Sequence, residues 1–187
     1  MNKVMIDCTP SLFPTNGIGR VTTALVQALL EFTKNEHDYV LYNRSWKKKS
    51  LDFKGGKNFR LPLPKSFEGL IKKLGLIELL QPGVNIYHAT DHYMPVKNIE
   101  KAIVTVHDLI FIKCPEKHLK IHEEMTKRVP PMLKKCRHII TCSEYRKNDM
   151  INYLGIPANK ITVIPWGINK EIFYPENDLV SIKNELK

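Results

Sequence analysis

The chain has 187 residues, of which 43% are hydrophobic and 26% charged. That is enough for one full domain and ordinary for a globular protein, which excludes a disordered, collagenous or membrane-bundle chain. Lys and Arg number 29 against 19 Asp and Glu, a net +10 that favours anionic partners such as phosphorylated ligands, nucleic acid or an acidic membrane surface.

No apolar run approaches the ~20 residues of a membrane span. The N-terminus turns polar too early for a signal peptide, so a cytoplasmic location is expected. Cys8, Cys114, Cys136 and Cys142 have no CxxC spacing, and free thiols in a reducing compartment are expected rather than zinc ligands or disulfides. Charge is uneven. Residues 44–60 carry seven cations and one anion, Asp52, a pattern that predicts a solvated loop.

In chain order, Val4 to Cys8 predicts a short buried strand, followed by a loop with Pro10, Pro14, Asn16, Gly17 and Gly19. Ile18, Val21, Leu25, Leu29 and Phe32 then fall at helical spacing. A second strand lies over residues 39–42, and residues 59–63, bounded by prolines, predict an edge strand at best. Phe67, Leu70, Ile71, Leu74, Ile77 and Leu80 predict one helix, ended by Pro82-Gly83. Residues 85–89 form another strand. Residues 102–107 are apolar up to His107, as in a strand covered on both faces. A helix kinked at Pro130-Pro131 is expected next. A strand at 138–142 leads to a helix capped by Ser143 and stopped by Gly155 and Pro157. Residues 161–164 form the last strand, and the tail is linker-like.

Apolar strands alternating with helices predict an α/β, Rossmann-like, doubly wound and mostly parallel sheet. Ligands in such sheets bind at the C-terminal edge of the strands, and four loops lie there. Gly17, Ile18, Gly19 and Arg20 open a helix. The glycines permit close approach of a ligand and Arg20 suits phosphate or carboxylate, although a simple turn explains the glycines equally well. His88, Asp91, His92 and Tyr93 follow one strand, and His107-Asp108 ends the most buried one. Their spacing matches no zinc motif. Hydroxyl recognition or acid–base chemistry competes with a core-histidine reading for His107. Ser143 is explained as a helix cap, with Arg146 one turn further on.

These motifs, in this order, resemble the N-terminal domain of a GT-B-fold glycosyltransferase of family 4, the retaining group that includes many mannosyl- and glucosyltransferases. The resemblance rests on Gly17-Ile18-Gly19-Arg20, on His107-Asp108-Leu109, and on the run from His138 through Ser143-Glu144-Tyr145-Arg146 to Asp149. It continues through Leu154-Gly155-Ile156-Pro157, Lys160 to Asn169 and Phe173-Tyr174-Pro175. It implies two facing Rossmann-like domains, with the acceptor held mainly by the N-terminal one and a nucleotide-sugar co-substrate mainly by the C-terminal one. It places His107 against the transferred sugar, with Asp108 as its catalytic neighbour, and the Gly17–Gly19 loop against the donor diphosphate or the acceptor. Ser143 and Arg146 would line the cleft, and Gly167 would mark the interdomain crossing. Neither metal nor cofactor is implied.

Two departures stand out. Trp166 occupies the position usual for Asn, and the family's E-x7-E motif is missing; Glu116 and Glu124 have that separation but lie upstream of the crossing, a chance match. The expected organisation is therefore a Rossmann-like acceptor-side domain over 1–169 and a linker or start of a further domain over 170–187. That domain is expected to be inactive without a donor-binding domain, from the same gene or a separate chain. A glycan or lipid-linked acceptor is expected. An anionic membrane surface at the inner face is a further partner that Trp46-Lys47-Lys48-Lys49 and residues 113–137 suit, although a solvated face explains these cations equally well. No helix-turn-helix, zinc-finger or RNP pattern points to nucleic acid. The alternative is a non-catalytic Rossmann-like module binding a nucleotide or another anionic ligand.

Overall fold

The computed structural model describes residues 1–47, 51–113 and 119–168. The expectations placed on residues 48–50, on Cys114 and Glu116, and on the linker at 170–187 lie outside the described residues.

Among the described residues seven strands form one all-parallel sheet: β1 (Asn2–Asp7), β2 (His37–Arg44), β3 (Lys57–Leu61), β4 (Ile86–Ala89), β5 (Ala102–Val106), β6 (His138–Thr141) and β7 (Ile161–Val163). Their spatial order is β3-β2-β1-β4-β5-β6-β7. The order reverses between β1 and β4, whose register pairs Val4 with Ile86 and Ile6 with His88. A reversal of this kind opens a crevice at the carboxyl ends of the two strands.

Along β1 and β2 successive residues face opposite layers. Ile6, Cys8, Tyr39 and Leu41 pack with Val26 and Leu30 of α1 (Gly17–Thr33). Met5, Val40 and Tyr42 face the larger core containing Ile71 of α2 (Glu68–Leu74) and Ile77 of α3 (Leu76–Leu80). This two-sided burial is why the strands read as unbroken apolar runs. The edge strand expected near residue 60 is β3, which among the described residues pairs only with β2. The single helix expected over residues 67–80 is instead two. Gly75 adopts a left-handed conformation with φ 62° and caps α2 through its N–H on Ile71 and Lys72 carbonyls, a stop that glycine makes without steric cost.

A short α4 (Ile110–Lys113) precedes α5 (Leu119–Lys135), which continues through both Pro130 and Pro131. An interior proline costs a helix about 3 kcal/mol or more. The fully buried Val129, Met132 and Leu133, each worth about 1.5–3 kcal/mol on burial, offset that cost. Helix α6 (Glu144–Leu154) carries Met150 and Leu154 into the same core. Among the described residues no helix is long and apolar enough to cross a membrane.

Candidate functional site

The crevice between β1 and β4 holds a pocket of about 260 Å³. Asp7 from the end of β1, Tyr42 and Arg44 from β2, and Asp91, His92 and Tyr93 after β4 form its floor and one side. Asn16 and Ile18 at the start of α1, Glu68 of α2, and Glu124 and Arg128 of α5 complete it.

The N-terminus of α1 is fixed by Asn16, whose side-chain oxygen accepts the Gly19 N–H at 2.6 Å. Gly19 is required there for an internal reason. A Cβ on it would lie 2.3 Å from the Phe13 carbonyl oxygen and 2.7 Å from that of Pro10. The backbone that approaches Gly19 is thus the protein's own loop. Gly17 has open space around it. Arg20 is exposed and donates through Nε to the Pro14 carbonyl at 3.2 Å, outside the pocket lining.

His92 is nearly buried, and both its ring nitrogens face acceptors. Nδ1 meets the Asp91 carboxylate, and Nε2 donates to the Asp108 carbonyl at 2.8 Å. A ring that donates from both nitrogens is an imidazolium. Burial opposes that charge, but the Asp91 carboxylate and the Asp108 carbonyl prevail and hold the His92 pKa above its ordinary value. Asp91 is correspondingly held below the usual carboxylate range: burial works against it, and the His92 contacts outweigh burial. Asp7 has the opposite fate. Burial raises its carboxyl to about 6, even though Thr9 donates to it and Arg44 lies near.

Opposite Asp7, Glu68 accepts from both Arg44 and Arg128, and Arg128 also pairs with Glu124. The Arg128 guanidinium stacks on the Tyr93 ring at 4.1 Å. These charges hold α2, α5 and β2 together around the pocket.

His107 lies beyond this pocket but on the same sheet edge. Its ring is 6.4 Å from that of His92 and 5.5 Å from that of Trp166. Nε2 donates to the Thr90 carbonyl at 2.9 Å, which fixes the ring and commits that nitrogen. The Asp108 carboxylate accepts the Ile110 N–H at 3.0 Å, at the entry to α4 (Ile110–Lys113), while its carbonyl holds His92.

The remaining candidates sit elsewhere. His88 is buried within the sheet, its Nε2 bonded to the Thr105 hydroxyl at 2.9 Å, and burial lowers its pKa to about 4; it is a core histidine. Ser143 accepts the Arg146 N–H and caps α6. Arg146 pairs with Asp149, which also takes Lys113. Gly167 is exposed in the segment after Trp166. Thus Ile18, Asp91 and Tyr93 share the pocket, and His107 adjoins it through His92. Gly17 and Gly19 shape its helix. Arg20, His88, Ser143, Arg146 and Gly167 do not line it.

Asp7, Arg44, Glu68 and Arg128 are pocket residues that sequence reasoning did not single out as site candidates. Asp7 and Arg44 end strands and were findable by that rule. Glu68 and Arg128 carry no local signal. Among the described residues, no three His, Cys, Asp or Glu side chains gather as metal ligands would.

Residues 15–172 match the family model Glycosyltransferase Family 4. The O-antigen chain mannosyltransferase B of Escherichia coli is 28% identical over 180 residues, covering 85% of this chain and 45% of that protein. The sucrose-phosphate synthase of Thermosynechococcus elongatus superposes with a TM-score of 0.62 at 13% identity, over 98% of this chain and 53% of the synthase, which shows a shared fold. The chain spans about half the length of the relatives it matches.

Proposed function

Because the chain belongs to glycosyltransferase family 4, we propose that it is the acceptor-side half of a retaining hexosyltransferase. The reaction moves a sugar from a nucleotide-sugar to a glycan or lipid-linked acceptor, a mannosyl transfer by likeness to the Escherichia coli relative. The observation that carries this reading is the placement of the site. The pocket, and His107 with Trp166 beside it, lie along the carboxyl ends of the strands. Group transfer needs both substrates oriented in a closed, water-poor cleft, and a donor-binding domain, from the same gene or a separate chain, supplies the second wall. Residues 1–169 would then form the acceptor domain and 170–187 the passage out of it.

In the assembled enzyme His107 positions the transferred sugar, its ring held by Thr90 and packed by Trp166. It is not assigned the role of base. Asp108 acts through its carbonyl, orienting His92. Donors on the second domain stabilise the departing diphosphate, and neither metal nor cofactor takes part. The assay combines this chain with a family 4 donor-binding domain, a nucleotide-sugar and a mannose-terminated acceptor. Transfer is expected from the mixture and not from the chain alone, and full-rate turnover by the chain alone contradicts the reading. Peripheral contact with an anionic cytoplasmic leaflet, to which the exposed Trp46 would contribute, belongs to the same proposal; cosedimentation insensitive to anionic lipid and to salt contradicts it.

A further inference from the structure

A net charge of +10 suggests an anionic ligand, yet the pocket itself is balanced. Its lining has four acidic side chains (Asp7, Glu68, Asp91, Glu124) and four cationic ones (Arg44, Lys65, His92, Arg128). Every one of those cations is already in contact with a carboxylate: Arg44 and Arg128 with Glu68, Lys65 with Glu124, and His92 with Asp91. An incoming phosphate would have to displace a carboxylate from a largely desolvated pair, leaving that carboxylate uncompensated. Only the Lys65 contact, at 3.5 Å and well exposed, is readily given up, and it lies at the mouth.

Two groups keep hydrogen-bonding capacity for a ligand. The Tyr42 hydroxyl is buried in the pocket wall beside the Arg44 guanidinium, and among the described residues nothing accepts its proton. A native protein rarely leaves a buried hydroxyl unmet unless something else meets it. Asp7 takes Thr9 donors but has no ion-pair partner among the described residues. Together they offer one hydroxyl and one carboxyl to a ligand that both donates and accepts. Phe13, about half exposed beside them, presents a ring to an apolar face. A volume of about 260 Å³ lies just below the ~300–1,000 Å³ of sites for drug-sized ligands, room for one ring rather than a chain.

We propose that this pocket binds a single uncharged pyranose, the terminal sugar of the acceptor, through Asp7 and Tyr42, and discriminates against phosphorylated sugars. The inference rests on the acceptor-side reading above but fails separately from it. The test is titration of the ¹⁵N-labelled full chain with methyl α-mannoside and with mannose 6-phosphate, at low and high salt. The glycoside should shift amides around Asp7, Tyr42 and Asp91 with an affinity unaffected by salt, and the 6-phosphate should bind at least about 10-fold more weakly. Tyr42→Phe should weaken the glycoside about 10-fold while leaving the melting temperature no lower. Equal or tighter binding of the 6-phosphate, weakened by salt, overturns the inference and leaves the transferase reading standing. No shift with either sugar up to about 0.1 M overturns it as well, and the transfer assay then judges the transferase reading independently. Tyr42→Phe binding the glycoside as the parent does removes Tyr42 from the site and overturns the assignment.

Discussion

Replacing Asp7 by Asn should make the protein more stable, and the gain should depend on pH. Burial raises the Asp7 carboxyl from 3.8 to about 6. The folded state therefore prefers the protonated form, and stability falls as pH rises from the unfolded value to the folded one. The interval is about two pKa units at 1.36 kcal/mol per unit, so ionised Asp7 costs the native state about 3 kcal/mol above pH 7. Asn keeps an oxygen to accept the Thr9 N–H and carries no charge to desolvate. Asp7→Asn should then raise stability by up to about 3 kcal/mol at pH 8, roughly 6–12 °C in melting temperature for a domain of this size. At pH 4 the parent is already largely protonated and most of the difference should vanish. His88 and His92 titrate in both proteins and cancel from the comparison. Urea or thermal unfolding of the pair at pH 4 and pH 8 measures it. A variant less stable than the parent at pH 8, or a difference that is the same at both pH values, refutes the burial argument and means that the carboxylate has a favourable native partner.

Other expectations follow from the same geometry. Gly19→Ala forces a Cβ against two backbone carbonyls and should cost at least about 2 kcal/mol, whereas Gly17→Ala, with open space around it, should be neutral or stabilising by up to about 1 kcal/mol; urea melts distinguish them. Glu68→Gln removes the carboxylate shared by Arg44 and Arg128 and should cost about 3–5 kcal/mol, and a loss below about 1 kcal/mol would show that those pairs are solvated. In a ¹⁵N imidazole titration His88 should remain neutral until pH falls to about 4, while His92 should hold its proton above pH 6.5. Neutral His88 thus contributes stability that is fully present above 6.5 and lost as pH falls towards 4, the reverse of His92. Exchanged titration orders would mean that the two rings have been assigned the wrong roles.

The layout of the sheet was legible because its signals are local. The apolar run of β5 and the Ser143 and Gly155 caps around α6 are each decided within a few residues, and the observed α6 limits match the caps. The break at Gly75 was missed because Leu70, Leu74 and Ile77 keep helical spacing across it, and only the left-handed φ shows that the periodicity spans two helices. The site was legible in part. Strand-end reasoning reached Asp91, Tyr93 and His107 but could not separate His88 from His92, four residues apart in one segment. Position decides between them: His88 lies inside β4 with its ring against Thr105, and His92 lies past the strand end with its ring between Asp91 and Asp108. For Gly19 the sequence leaves ligand approach and a simple turn equally open, and the nearest atoms, which belong to Phe13 and Pro10, favour the turn. The Glu68–Arg128 pair joins residues 60 apart in sequence, and no periodicity encodes such a contact.

The division of labour between the two walls can be read in one spectrum. The ¹⁵N-labelled chain, assembled with an unlabelled donor-binding domain, is titrated separately with a mannose-terminated acceptor and with the nucleotide-sugar. The acceptor should shift amides at Asp7, Tyr42 and Asp91 to Tyr93, and the nucleotide-sugar should shift His107 and Trp166 while leaving the pocket still. A nucleotide-sugar that fills the Asp7 pocket, with an acceptor that perturbs no residue of this chain, would contradict its assignment as the acceptor side.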